Sequence, residues 1–86
     1  MRPEKGQIVF SRAGHDKGLA FVITDCDGRY VYVCDGKHRL LEKPKKKKLI
    51  HVAPTNTVLD VGAIKTNRHI RKSLAVFISQ KCSEEG

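Results

Sequence analysis

The residues of this sequence that could do chemistry are basic side chains, and the chemistry they suit is the binding of phosphate groups. An arginine can hold a phosphate through two parallel hydrogen bonds, and lysines follow a phosphate backbone as flexible point charges. Two stretches of such residues fall in predicted loops and one on a predicted helix. The candidate residues are Arg12, Gly14, His15 and Lys17 in the first stretch, Lys37, Arg39, Lys45, Lys46, Lys47 and Lys48 in the second, and Arg68, Arg71 and Lys72 in the third.

Each stretch also has an interpretation that needs no ligand. Gly14 would let backbone N–H groups of the first loop approach a phosphate, but exposed loops are polar in any case. The lysine run Lys45–Lys48 could solubilise a loop or protect a sheet edge. Four adjacent lysines repel one another, however, which favours a docked polyanion. The helical stretch could lie on a membrane, but its apolar side is needed to cover a small sheet.

Patterns typical of catalysis and of metal binding are not found in the sequence. No two carboxylates share an apolar setting, and neither a G-x-S-x-G nucleophile motif nor a Walker A motif occurs. His15 and Asp16 are neighbours in a loop, where such a pair is typical of a turn. The histidines and the cysteines Cys26, Cys34 and Cys82 lack the spacing of a zinc site. We therefore expect no enzyme activity, no cofactor and no metal.

The composition favours a small folded domain with a polyanionic partner. The 86 residues suffice for one domain, and 40% of them are hydrophobic, as in ordinary globular chains. The chain has 17 lysines and arginines against 9 acids, which gives a net charge of +8. The first residues are polar, and no apolar run reaches the roughly 18 residues of a membrane span. We expect a monomer in a reduced, cytoplasmic setting, with no membrane contact.

Much of the sequence has the apolar pattern of short β-strands. Segments 25–28 and 35–36 each contain an Asp-Gly pair, so the first three strands are predicted to form an antiparallel meander. Pro44 and the lysines around it are predicted to form a solvated loop or edge, which a compact domain cannot bury. Ala53 and Pro54 are predicted to end the strand before them. The predicted strands are Gln7 to Arg12, Leu19 to Thr24, Tyr30 to Cys34, Leu49 to Val52 and Thr57 to Leu59.

Tyr30 and Tyr32 alternate with valines along the third predicted strand. Two aromatic rings on one strand face could stack on unpaired bases. Such residues are more often part of a hydrophobic core, and the core is the interpretation that the sequence favours.

The last third of the chain is predicted to contain one amphipathic helix. Thr66 or Asn67 is a suitable N-cap, and the helix is predicted to run from about Asn67 to Ser79. Its basic side chains lie mainly off the apolar face, which is expected to pack on the sheet. The apolar residues at helical spacing are Ile70, Leu74, Phe77 and Ile78. Residues 82–86 are expected to fray.

The segment GQIVFSRAGHDKG, from Gly6 to Gly18, resembles the KOW motif of translation and transcription proteins. The following segments LAFVITD, YVYVCDG and LIHVAPT are similar to later strands of KOW-domain RNA-binding proteins related to archaeal and eukaryotic large-subunit ribosomal proteins. The resemblance covers about Lys5 to Leu59. It implies an SH3-like barrel of about five strands whose loops contact ribosomal RNA. The contacts that it implies fall on Arg12, Gly14, His15 and Lys17, and on Lys45–Lys48.

Together these patterns predict a mainly β protein, with a small SH3-like KOW barrel at residues 1–59 and a C-terminal helix, within residues 60–86, packed on it. The leading hypothesis is a non-catalytic RNA-binding protein whose partner is ribosomal RNA of the large subunit. The alternative is a protein-docking adaptor of the SH3-like class in translation or transcription. An adaptor would need an exposed apolar or aromatic groove, and the chain has few aromatic residues.

Overall fold

The chain forms one five-stranded antiparallel sheet and a long C-terminal helix. The computed structural model describes the backbone of residues 3–85 and the side chains of residues 3–60, 62 and 64–80, so Cys82 lies outside the described side chains. The sheet order is β4-β3-β2-β1-β5. Short 3-10 turns, Leu49–His51 and Val61–Ile64, flank the last strand. The elements are β1 (Gln7–Ser11), β2 (Ala20–Asp27), β3 (Tyr30–Cys34), β4 (Lys45–Lys48), β5 (Val52–Val58) and α1 (Asn67–Glu85).

Apolar side chains are buried on both faces of the sheet. Strand alternation sends neighbouring residues such as Ile8 and Val9 to opposite faces. One cluster lies between the sheet and the helix, on what we call the outer face; it contains Ile8, Ala20, Val22, Cys34, Ile70 and Leu74. The other cluster lies on the inner face and contains Val9, Phe21, Ile23, Val31, Val33 and Val52.

The helix begins at the predicted position and packs through most of its predicted apolar face. The Oγ1 atom of Thr66 accepts a hydrogen bond from the N–H of His69 at 3.1 Å, which caps the first turn. Ile70 and Leu74 are buried, and the Phe77 ring meets that of Phe10 with centroids 6.0 Å apart. The prediction for Ile78 is wrong, because its side chain is 44% exposed. The helix also continues to Glu85, beyond the predicted end.

The predicted boundaries of the last two strands are wrong. The lysine run itself forms β4, and the segment predicted as the fourth strand begins with a 3-10 turn. The N–H of Leu49 donates to the carbonyl of Arg29 at 2.7 Å, one step beyond the Tyr30–Lys48 pair, and the 3-10 turn begins there. β5 then passes through Pro54 instead of ending before it. Proline is tolerated there because β5 is at the sheet edge and its pairing with β1 is irregular beside Val9.

Candidate functional site

The lysine run of β4 is divided between the two faces of the sheet. β4 pairs with β3, and Tyr30 lies opposite Lys48. Because side chains alternate along a strand, Lys46 and Lys48 share the outer face with the tyrosines. Lys45 and Lys47 share the inner face with the valines of β3. The alternation therefore separates four adjacent like charges into two pairs with different surroundings.

Asp16, in the loop between β1 and β2, binds the inner pair of lysines. Its Oδ2 atom lies 3.1 Å from Lys45 Nζ, 3.6 Å from Arg39 Nη2 and 4.0 Å from Lys47 Nζ. Lys47 Nζ also donates to the carbonyl oxygen of Ala13 at 3.5 Å. The side chains of Asp16 and Lys47 are only 10% and 8% exposed. We call Asp16, Arg39, Lys45 and Lys47 the Asp16 network; it fastens the first loop to the edge strand.

The charges of the Asp16 network keep its carboxylate ionised. Burial raises the pKa of Asp16, but the hydrogen bond from Lys45 and the charges of Lys45, Arg39 and Lys47 outweigh it, so the pKa lies below its usual value. Burial, together with the charges of Lys45 and Arg39, lowers the pKa of Lys47 against the opposing charge of Asp16. The expectation that the whole lysine run is solvated is therefore wrong for Lys47. The sequence interpretation of Asp16 as a turn residue also missed its role as a counter-ion.

The outer pair of lysines faces solvent beside a tyrosine. Lys46 Nζ lies 4.3 Å from the centroid of the Tyr30 ring, within the range of a cation–π contact. Lys46 and Lys48 are both exposed. Tyr30 and Tyr32 are half-buried and belong to neither buried cluster. The expectation that they are core residues is wrong: they share the outer face with the buried Cys34 but are themselves only half-buried.

The first loop presents its other candidate residues to solvent. The side chains of Arg12, His15 and Lys17 are exposed around the inward-facing carboxylate. Gly14 has a φ of +78°, and a Cβ added there would meet open space. The N–H of Arg12 donates to the carbonyl oxygen of His51 at 2.7 Å, which holds this loop beside the 3-10 turn between β4 and β5. The fold thus brings the first predicted stretch close to the end of the second.

A cleft of about 520 Å³ opens where the turn between β2 and β3 meets this 3-10 turn. We call it the tyrosine cleft; its lining residues are Gly28, Arg29, Tyr30, Lys48, Leu49 and Ile50. The side chain of Ile50 is 75% exposed. A neighbouring depression is lined in part by Arg12 and Ile50, so the isoleucine has cations on two sides. Neither Arg29 nor Ile50 was a candidate from the sequence, since isolated exposed residues carry no periodic signal.

The remaining candidates of the second stretch lie in the loop between β3 and β4. The Oδ1 atom of Asp35 accepts hydrogen bonds from the N–H groups of Lys37, His38 and Arg39 at 2.8–2.9 Å. These bonds fold the loop back on itself. The Lys37 side chain points to solvent, whereas Arg39 turns toward Asp16. Only part of this stretch is therefore available to a ligand.

The third stretch lies at the start of the helix, whose N-terminus is tied to the same loop. The Asn67 Oδ1 atom accepts from the N–H of Leu41 at 2.6 Å, and its Nδ2 donates to the Glu42 carboxylate at 2.8 Å. Gly36 passes so close to the helix that a Cβ there would overlap the Asn67 carbonyl oxygen and lie 3.0 Å from Arg71 Cγ. This contact brings Arg71 to the loop that carries Lys37. The exposed basic residues of the helix are Arg68, Arg71 and Lys72.

The helix also borders an apolar groove. The groove has a volume of about 400 Å³ and is lined by Leu59, Gly62, His69, Lys72, Ser73 and Val76. The side chain of Val76 is 49% exposed there. Lys72 thus borders this groove, whereas Arg71 contacts the loop between β3 and β4.

The described thiols are not poised for nucleophilic chemistry. Burial raises the pKa of Cys34 to about 12, and nearby Asp35 and Glu42 act in the same direction. Burial and the charge of Asp25 raise the pKa of Cys26. Among the described residues, no group of three or more His, Cys, Asp or Glu side chains is arranged to hold a metal ion. No helix in the described part of the chain is long and apolar enough to cross a membrane.

Comparison with known proteins does not assign the chain to a family: no protein-family model matches it, and no curated protein matches it at a significant level. The candidate surface is therefore the basic region around the tyrosine cleft. Arg29 and Lys48 line the cleft with Tyr30, Lys46 lies over the tyrosine ring, and Arg12 lines the neighbouring depression.

Proposed function

We propose that this protein is a non-catalytic RNA-binding protein whose ligand is ribosomal RNA of the large subunit. The observation that carries the proposal is the division of the lysine run. Lys46 and Lys48 are exposed on the outer face, whereas Lys45 and Lys47 are bound by Asp16. Lysines on an edge strand can serve only to discourage pairing with other strands. Here, however, the two exposed lysines of β4 occur together with the exposed Arg12 and Arg29, which edge protection does not require. Exposed lysines and arginines are the side chains that bind the phosphates of a nucleic acid.

We also propose that the sheet is an SH3-like barrel of the KOW type. The inner cluster supports this, because Val9, Phe21 and Val33 are fully buried on the face that the helix does not cover. A flat sheet with no covering layer would expose that face, so its burial favours strands that curve over it. Irregular pairing beside Val9 and after Ile23 supplies local bends, as β-bulges do. The Asp16 network adds a contact between the edge strand and the first loop.

Counterion release gives the proposal a quantitative test. Each phosphate contact contributes about 0.7 to 0.9 to the slope of log affinity against log salt. We would measure binding of a fluorescently labelled fragment of large-subunit ribosomal RNA by anisotropy between about 50 and 300 mM salt. The Lys46→Ala/Lys48→Ala variant should bind more weakly, with a slope lower by about 1.5. Its melting temperature should change little, because both side chains are exposed.

A matched control separates a specific surface from net charge alone. Lys5→Ala/Lys65→Ala removes the same charge at two exposed lysines that are not candidate ligands. It should keep most of the salt slope. If the two double variants lose the same slope, the outer face has no special role. If the wild-type protein does not bind the RNA at all, the proposed function is wrong.

The adaptor hypothesis remains the second candidate, and the groove beside Leu59 and Val76 is the observation that favours it. A Val76→Asp substitution would place a charge in that groove. RNA binding should be unaffected by it if the outer face is the functional surface. Loss of a defined translation or transcription partner in this variant, with no loss of RNA binding, would instead favour the adaptor.

A further inference from the structure

The tyrosine cleft combines features that phosphate binding alone does not require. Tyr30 contributes an aromatic ring, and Leu49 and Ile50 contribute an apolar wall. The N–H of Leu49 donates to the carbonyl oxygen of Arg29, so the two turns that form the cleft are fastened together. A single exposed isoleucine needs no explanation on a protein surface. Here, however, the exposed Ile50 forms one wall of a cleft that already contains an aromatic ring.

Cations surround this apolar surface. Arg29 and Lys48 line the cleft itself and are exposed. Lys46 lies over the Tyr30 ring with its Nζ 4.3 Å from the centroid. Arg12 lies with Ile50 in the neighbouring depression. A ligand in the cleft would thus meet an aromatic ring and apolar side chains together with positive charge.

An unpaired nucleotide has the complementary chemistry. Its base is planar and stacks on aromatic side chains, and its phosphates are anionic. A base within a duplex is stacked between its neighbours and cannot enter the cleft without leaving the helix. We propose that the tyrosine cleft binds one unpaired base of the RNA, packed against Tyr30 and Ile50, with the adjoining phosphates on Lys48 and the flanking arginines. This inference rests on the proposed function and adds a preference for single-stranded RNA.

Tyrosine fluorescence reads out this contact directly. The chain has no tryptophan and 2 tyrosines, so Tyr32→Phe leaves Tyr30 as its only tyrosine. In that background, titration with a 12-nucleotide oligouridine should quench the emission as the base stacks on the ring. Inorganic polyphosphate supplies the phosphate charge without bases and should bind with little quenching. Poly-glutamate supplies the charge of an acidic protein ligand and should behave like polyphosphate.

Substitutions then measure what the stacked base contributes. In the otherwise wild-type chain, Tyr30→Ala should weaken oligouridine binding about tenfold, within the range known for one stacked base. Tyr30→Phe should restore nearly all of the affinity, because the ring is kept. Ile50→Ser should weaken binding severalfold without lowering the melting temperature, since its side chain is 75% exposed. All three variants should bind an RNA duplex as the wild type does.

The outcomes distinguish this inference from the proposed function. If the wild-type protein binds neither oligouridine nor duplex, both are wrong. Suppose instead that it binds both RNAs with a steep salt slope. Then either of two results overturns the cleft proposal alone: no quenching by oligouridine, or normal oligouridine binding by both Tyr30→Ala and Ile50→Ser. Equal quenching by polyphosphate or poly-glutamate would also overturn it. If Tyr30→Ala unfolds, the Ile50→Ser variant and the quenching titration still decide the question.

Discussion

Removing the charge of Asp16 should destabilise the fold more than removing any exposed acid. In Asp16→Asn the amide cannot neutralise the three cations that lie within 4.0 Å of the carboxylate. Lys45 and Arg39 are 34% and 38% exposed and can turn toward water. Lys47 is 8% exposed and would keep one carbonyl partner, that of Ala13. The main cost therefore comes from a single buried ammonium group.

The size of this effect follows from burial. Removing one partner of a fully buried ion pair costs about 3–5 kcal/mol. Because two of the three cations can rehydrate, we expect a loss of about 2–3 kcal/mol for Asp16→Asn. In a domain of this size that loss corresponds to a fall in melting temperature of about 10–20 °C. The matched control is Asp27→Asn, which removes the charge of an exposed acid and should melt within a few degrees of wild type.

The pH dependence gives an independent check. The folded pKa of Asp16 lies below its unfolded value, so the carboxylate stabilises the fold fully above about pH 4 and loses this effect as the pH falls through the folded pKa. Thermal melts followed by circular dichroism should show a constant gap between wild type and Asp16→Asn from pH 5 to 8. The gap should shrink below about pH 4. A gap that is absent at pH 7, or that does not narrow in acid, would refute the role given to Asp16.

The remaining predictions concern the fold and the ribosome. Gly36→Ala should lower stability by at least about 2 kcal/mol, because its Cβ would overlap the Asn67 carbonyl oxygen at positive φ, whereas Gly14→Ala has open space and should cost about 1 kcal/mol; equal denaturation midpoints would contradict this. Leu74→Asp should cost about 3 kcal/mol and Val76→Asp little, since Leu74 is 5% and Val76 49% exposed; if both variants melt alike, the helix does not pack as described. The protein should sediment with large ribosomal subunits at low salt and be released at high salt, and co-sedimentation that ignores salt would argue against phosphate contacts.

The sequence predicted correctly those elements whose structure depends on residues close together in the chain. Tyr30 to Cys34 is a strand with the predicted bounds, because β-branched and aromatic residues lie between two Asp-Gly turns. The antiparallel meander and the start of the helix near Thr66 were also predicted correctly. The expected RNA contacts remain predictions. The mainly β fold with a C-terminal helix follows from these features, whereas the barrel remains a proposal.

The errors arose where distant residues decide the structure. The lysine run does lie at the sheet edge, as one of the two expected alternatives had it, but the expectation that all of it is solvated was wrong for Lys47. The counter-ion that allows this burial, Asp16, lies 29 residues from Lys45 in the chain. A clue was available, since Asp16 is the only acid between Lys5 and Thr24. The face occupied by Tyr30 could not be fixed either, because it depends on the pairing of β3 with β4.

The most direct test of RNA binding by the outer face is ultraviolet crosslinking in living cells, followed by sequencing of the attached RNA and identification of the crosslinked peptide. We expect large-subunit ribosomal RNA, attached within or beside the residues 28–34 and 46–50 that form the tyrosine cleft and its surroundings. The Lys46→Ala/Lys48→Ala variant should yield much less crosslinked RNA at equal expression, while Lys5→Ala/Lys65→Ala should yield nearly the wild-type amount. Recovery of no RNA above background, or crosslinks confined to the helix, would contradict RNA binding by this surface.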